Sequence, residues 1–423
     1  MRFLVLCGVI VLFILGALFM RFTLEKDSIK VGLIYSQSGT MATSEAPVAL
    51  MFKAAIKELN DNGGILSKNI EIIEYDAASD PKEFHKGAEE LIQKGVVSIF
   101  GCWTSASRKE VKKVVEKYDN LLFYPLQYEG LEISPNIIYL GLSANQQINP
   151  TLDFIQTHFG KNIYLIGSDY IYPRAANFYI KELSKLTELK IVAERYIPLE
   201  SDVFGDLFLD ILEKKPDAII NTLNGDSNIA FFTQLKKHKI TAHKTPVFSL
   251  SLDESLVSKM SDSNDSNAID SMVGHFATWG YFNVLNKNKT NTFTNFLHHY
   301  FKEDVDITDA MFSIYMGVQI FKEAIIKGNS ATPKEIQKNI KRGSYNLSGD
   351  IYFVDPNTNH LYRHTMIGKI NPKNDFDILW HSPQIIKPQP YPTFKSKKEW
   401  YKCVDTFHVN QECKSIEIGE NNE

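Results

Sequence analysis

Five short stretches of this 423-residue chain collect side chains that hydrogen-bond or stack. "SQSGT" sets Ser38 and Thr40 around a glycine, and "GCWTSASRKEV" puts Trp103 beside Thr104 and Ser105. "FYPLQYEG" carries Tyr124, Gln127 and Glu129; "GSDYIYPR" carries Asp169, Tyr170 and Tyr172; "NTLNGDSN" carries Asn224 and Asp226. Hydroxyls, amides and a few carboxylates donate and accept, and the rings offer faces. None of these stretches contains a histidine, so the serines lack a nearby base and hydrolysis is poorly supported. No Walker loop, GxGxxG or GxSxG pattern accompanies them, which argues against phosphate, dinucleotide or α/β-hydrolase chemistry. The cysteine spacing, without clustered histidines, gives no zinc signature, and the adjacent His298 and His299 point apart on a helix. Taken singly, each stretch also reads as a helix cap or an Asx-type turn. Trp103 is the exception: it cannot cap a helix, and is either a lid on the core or a wall of a site.

The elements that must position these residues alternate. "IKVGLIYS" reads as a strand and Ala46–Gly64 as a helix ended by Gly63–Gly64. The next strand is "IEIIEYD", followed by a helix from Pro81 with Asp80 before it as cap, then "VVSIF", a helix to about Tyr118, and "LLFYP". The alternation restarts at "NIYLIGS" and continues through "KIVAERYIP", "DAIINTL" and "PVFSLS" with helices between. This spacing predicts two doubly wound, mostly parallel sheets in tandem. Every informative stretch is then a strand exit, where ligands of open parallel sheets sit. Further helices are expected near 290–300, 308–327 and 333–342, and short strands from Leu347 to His381. The expected division is 28–146 plus about 272–345 for one lobe and 147–271 plus about 346–380 for the other. A Pro-rich tail, 381–423, is expected to run extended over the surface.

Length and composition fit two or three folded domains, with 44% hydrophobic and 23% charged residues. The net charge of −4 argues against a nucleic-acid partner. Arg2, an apolar run from Phe3 to Met20, and Arg21 predict export, with residues 1–27 a cleaved signal or a retained anchor. Cys7 lies inside that run; Cys403 and Cys413, close in sequence, are a candidate disulfide in an exported chain.

The blocks "IKVGLIYSQSGTMA", "FGCWTSASRKEV", "LLFYPLQYEGLE", "NQQINPTLDF", "YLIGSDYIYPR" and "NTLNGDSNIAFF" occur in that order. Together they closely resemble the substrate-binding protein of the urea ABC transporter, within the branched-chain amino-acid and amide class of type I periplasmic binding proteins. The resemblance runs from about residue 29 to Phe394; the amide-binding regulator of aliphatic amidase operons is a more distant relative. It implies a two-lobed clamp, not an enzyme, that closes on a small neutral amide and delivers it to a membrane permease. It implies ligand contacts at Trp103 and Ser105, at Tyr124, at Tyr170 and Tyr172, at Ser38 and Thr40, and an acceptor role for Asp226. Thr104, Gln127 and Asp169 stand in the same blocks and complete the expected site, with no cofactor and no metal. Two other readings are a branched-chain-type amino-acid receptor and a membrane-tethered amide sensor. The chain departs from its relatives in the long N-terminal apolar run and in some thirty residues after Phe394, "KSKKEWYKCVD" onward.

Overall fold

The computed structural model describes residues 28–199, 201–261, 269–286, 291–301, 305–341, 343–347 and 350–400. The expected export segment, Cys7, Cys403 and Cys413 lie outside them. Among the described residues no helix is long and apolar enough to cross a membrane.

The first sheet contains β1 (Ile29–Tyr35), β2 (Ile70–Asp76), β3 (Ile99–Gly101), β4 (Leu122–Tyr124) and β5 (Ile137–Tyr139). Its order is β2-β1-β3-β4-β5 and every pair is parallel. Such strands are covered on both faces, which is why β1, β3, β4 and β5 read as almost unbroken apolar runs. The helices α1 (Ala42–Asp61), α2 (Pro81–Gln93) and α3 (Ser105–Lys117) connect them. Asp80 accepts from the Lys82 N–H with Pro81 in the first turn, as the sequence predicts. Thr104 caps α3 by accepting from the Ser107 N–H.

A second α/β unit follows: α4 (Ala144–His158), β6 (Asn162–Ser168), α5 (Ile171–Ser184), β7 (Lys190–Ile197), α6 (Leu207–Lys214), β8 (Ala218–Thr222), α7 (Ser227–Lys237), β9 (Val247–Ser249) and α8 (Glu254–Ser261). Then come β10 (Phe276–Trp279), α9 (Thr292–Tyr300), α10 (Asp309–Gly328) and α11 (Pro333–Ile340). The chain continues through β11 (Ser344–Leu347), β12 (Asp350–Val354), β13 (Leu361–Tyr362), β14 (Met366–Ile370) and β15 (Phe376–His381). The second sheet runs β15-β14-β10-β9-β8-β6-β7, antiparallel only where β14 meets β10 and β15. β11, β12 and β13 form a small antiparallel sheet of their own.

Two boundaries differ from the sequence reading. β10 pairs with β9 and β14, so residues 276–279 belong to the second lobe, not the first. Tyr352, Val354 and Leu361 pack into the first lobe's core beside Tyr345, so 346–362 belong there and not to the second. The reason lies in long-range pairing. Phe276 sits in register with Phe248 and stacks on it at 4.5 Å, a contact that local alternation does not encode.

Both sheets have the same topology at their centres. The chain order reverses between β1 and β3 in the first and between β6 and β8 in the second, and crevices form beyond the carboxyl ends at such points. Gly101 shows how tightly the first exit is built: a Cβ there would meet the Ile34 carbonyl oxygen at 1.9 Å, and its φ is +131°. Cys102 follows at φ 65°, a region that non-glycine residues enter at a cost. These two residues turn the chain out of β3 and present Trp103.

The tail is a strap more than a surface drape. The Pro390 carbonyl accepts from the Leu131 N–H at 2.7 Å, and the Tyr391 hydroxyl donates to the Leu131 carbonyl at 2.9 Å. Further on, Lys395 pairs with Glu182 of α5 at 2.7 Å. Trp400 is fully buried, edge-on to Phe178 and stacked on Tyr179, and its indole N–H donates to the Pro392 carbonyl at 2.8 Å.

Candidate functional site

The first-lobe wall is built on a buried cation. Arg108, one turn into α3, is wholly buried. It donates to Glu129 and to Glu132 at 3.0 Å each, and to the Ser105 hydroxyl oxygen at 3.0 Å. Its guanidinium lies 4.4 Å from the Tyr128 ring centre and 5.0 Å from that of Tyr124. Ser105 donates its own proton to the second Glu129 oxygen at 2.6 Å, and the Tyr139 hydroxyl donates to Glu132 at 2.9 Å. Burial opposes ionisation of Glu132, but Arg108, Lys109 and Lys112 outweigh it and hold the carboxyl at about 2. The network continues to His360, which meets the Tyr128 hydroxyl and is kept neutral by burial, its pKa lowered to about 3.

Above this base stand the rings. Tyr124 is buried and donates to the Trp103 carbonyl at 2.8 Å. From the other lobe Tyr170 precedes α5; burial raises its hydroxyl pKa, and Tyr172, Tyr124 and Glu129 raise it further. The second-lobe residue therefore lies within electrostatic reach of the first-lobe wall, and the Tyr170 and Tyr172 ring centres are 6.4 Å apart. Gln127 joins the lobes directly: its amide donates to the Leu250 carbonyl, just past β9, at 3.1 Å. The Tyr172 hydroxyl and Gln147 approach the same carbonyl at 3.5 and 3.1 Å. Behind Trp103 is a cavity of about 10 Å³, lined by Tyr35, Glu45, Cys102 and Ile314, with room for about one water. Larger cavities of about 510 and 620 Å³ contain none of the five-loop residues.

Of the residues singled out in the sequence, Trp103, Ser105, Tyr124, Gln127, Tyr170 and Tyr172 come together here. Thr104 serves as the cap of α3. Asp169 is ion-paired to Arg174 at 2.6 Å at the margin of the cleft. Ser38 and Thr40 are exposed, and the Ser38 hydroxyl turns to Asp76 at 3.4 Å. Asp226 does not join the site: its side chain is 65% exposed and pairs with Lys259 at 2.8 Å. It begins α7, and its backbone position there sends the carboxylate to solvent. Asn224, two residues earlier, is buried, its N–H donating to Ser168 at 3.0 Å. Arg108, Glu129 and Glu132 were not among the expected contacts. A signal for them exists: Ser105 and Arg108 are three apart on one helix face, as Glu129 and Glu132 are three apart in their loop.

Hydrogen-bond accounting shows what the site still offers. The Ser105 proton goes to Glu129 and one of its lone pairs takes Arg108, leaving one acceptor position. The Tyr124 proton goes to Trp103, leaving its oxygen as an acceptor. Gln127 Oε1 is buried and has no hydrogen-bond partner among the described residues. The indole N–H of Trp103 and the hydroxyls of Tyr170 and Tyr172 add donors, so the side-chain capacity is mixed. The first turn of α3 adds backbone N–H donors. Among the described residues no group of three or more His, Cys, Asp or Glu could hold a metal ion.

Comparisons with known proteins agree with this architecture. A solute-binding protein from R. palustris in complex with 4-hydroxybenzoate superposes with a TM-score of 0.72 at 18% identity, covering 85% of this chain and 98% of that one. The LivJ substrate-binding protein of Streptococcus pneumoniae in complex with isoleucine gives 0.71 at 17%, covering 86% and 100%. At these identities the likeness concerns the fold. In sequence, a Leu/Ile/Val-binding protein homologue of Brucella abortus is 25% identical over 231 residues, 50% of this chain and 56% of that protein. A limonene hydroxylase of Geobacillus stearothermophilus is 28% identical over 121 residues, 29% of this chain and 22% of that protein. The chain thus spans little more than half the length, or less, of these curated relatives. The model of the periplasmic binding protein domain, by contrast, matches residues 29–397. That span takes in both sheets, both chain-order reversals and most of the strap, and the chain belongs to the periplasmic binding protein domain family, of the two-lobed type I kind.

Proposed function

We propose that this protein is an extracytoplasmic receptor that captures urea, or a similar short amide, between its lobes and delivers it to an ABC-type permease. The observation that carries the reading is a group of three acceptors on one wall: the unpartnered Gln127 Oε1, and the Ser105 and Tyr124 oxygens whose protons are already engaged. Urea is flat and uncharged, with several N–H donors and a single carbonyl. Its donors meet these acceptors, its carbonyl meets the backbone N–H groups at the start of α3, and the rings of Trp103 and Tyr170 shield it from water. A site that satisfies every polar group rejects a ligand that leaves one unpaired. A benzoate carboxylate presents only acceptors to these atoms, which disfavours benzoate, whereas an amino acid sets its ammonium against them and is the competing ligand. At about −1.5 kcal/mol per heavy atom, a ligand of four such atoms reaches roughly −6 kcal/mol, a dissociation constant on the order of tens of micromolar.

Isothermal titration of the purified protein with urea, acetamide, leucine and 4-hydroxybenzoate tests this. Heat with urea or acetamide is expected. Heat with leucine or benzoate alone sinks the reading and favours an amino-acid or aromatic-acid receptor.

A further inference from the structure

A serine hydroxyl is ambidextrous: it donates or accepts according to its neighbours. At Ser105 that freedom is removed. Its oxygen lies 2.6 Å from Glu129 Oε2, the ordinary length of an O–H to carboxylate bond, and both partners are buried. The other Glu129 oxygen takes an Arg108 N–H at 3.0 Å, and a different Arg108 N–H points at Ser105 itself at 3.0 Å. Serine, carboxylate and guanidinium close a ring in which the proton of Ser105 has one place to go. Arg108 is fixed in turn by Glu132 and by the faces of Tyr124 and Tyr128.

We infer that Glu129 is a specificity-determining residue: by taking the Ser105 proton it makes Ser105 an obligate acceptor, so that this point of the cleft admits an N–H and turns away a carbonyl or carboxylate oxygen. Glu129 acts through Ser105 and is a positioning residue. The inference rests on the amide-binding reading and deepens it. In Glu129→Gln the amide oxygen faces the Arg108 N–H, as Oε1 does now. Its nitrogen then faces Ser105 and donates, so Ser105 receives two donors and its own proton turns to the ligand. The polarity of the position reverses while shape and volume stay the same.

The test is a double-mutant cycle on the full chain, with binding of urea, acetamide and acetate measured for the wild type, Glu129→Gln, Ser105→Ala and the double variant. Glu129→Gln should lower urea affinity by about tenfold or more. It should also move the acetamide-to-acetate preference at least about tenfold toward acetate. In the Ser105→Ala background the same change should do almost nothing. Equal effects of Glu129→Gln with and without the hydroxyl, or an unchanged acetamide-to-acetate ratio, overturn the inference while leaving the amide-binding reading intact. Wild-type protein that takes leucine and not urea overturns both. Should Glu129→Gln fail to fold, Glu129→Asp, which keeps the charge and withdraws it by one methylene, runs the same cycle, and additivity there counts against the inference equally.

Discussion

The two walls of the cleft use similar residue types in opposite ways. On the first lobe, Arg108, Glu129 and Glu132 are buried and bond mainly to one another and to hydroxyls beside the site, with Lys109 a further partner of Glu132 at 3.8 Å. On the second lobe, Asp169–Arg174 and Asp226–Lys259 are pairs at the rim, with side chains 19 to 65% exposed. A buried pair is a poor source of net stability, but breaking it strands a charge; an exposed pair contributes little either way. The first wall therefore sets the polarity of the site, and the second supplies rings and a rim. If that division holds, substitutions on the two walls separate by size and by kind.

The largest effect is expected at Arg108. Arg108→Met leaves two buried carboxylates without their cation and should cost about 3–5 kcal/mol in guanidinium unfolding. A loss no greater than that of an exposed ion pair would erase the distinction between the walls.

The next is a contrast in pH response within the first lobe. Burial raises the Glu45 carboxyl from 4.5 to about 8, against the Ser36 hydrogen bonds. The folded form binds that proton more tightly than the unfolded chain, so stability falls as pH rises from 4.5 to about 8. Glu132 is held at about 2, so it contributes above 4.5 and is lost as pH falls toward 2. Glu45→Gln should lessen the decline by an amount on the order of a few kcal/mol in melting curves recorded between about pH 5 and 8, the rest coming from buried carboxyls such as Glu254. Parallel curves for wild type and variant would remove Glu45 from the account.

On the second wall, Tyr170→Ala should weaken urea binding by about tenfold while lowering the melting temperature of the unliganded protein less than Arg108→Met does, since the residue is only partly buried against the core. The reverse pattern would make Tyr170 a packing residue. The smallest effect belongs to Asp226→Asn, which should change urea affinity less than about twofold. A large loss there would restore the acceptor role that its motif implies and its exposed side chain does not.

The fold was legible because buried parallel strands and capped helices write themselves locally. The runs at Ile29, Ile99 and Asn162, and the Asp80–Pro81 start, match the elements found. The lobe boundaries were less legible, since β10 takes its place by pairing with strands on either side in space. At the site, the loops were legible and the side-chain directions were not. Nothing near Asp226 says that Lys259 waits for it, and nothing near Tyr128 announces His360, 232 residues away.

The strap bears on how such a molecule opens. The segment from Leu126 to Glu132 lies between β4 and β5 of the first sheet, yet Leu131 is fastened to Pro390 and Tyr391, and Trp400 is sunk among Phe178 and Tyr179 of the second lobe. On the receptor reading proposed above, parting the lobes loads the backbone that carries Gln127 and Glu129, so the strap from Pro390 to Trp400 ties release of a ligand to the shape of its cradle.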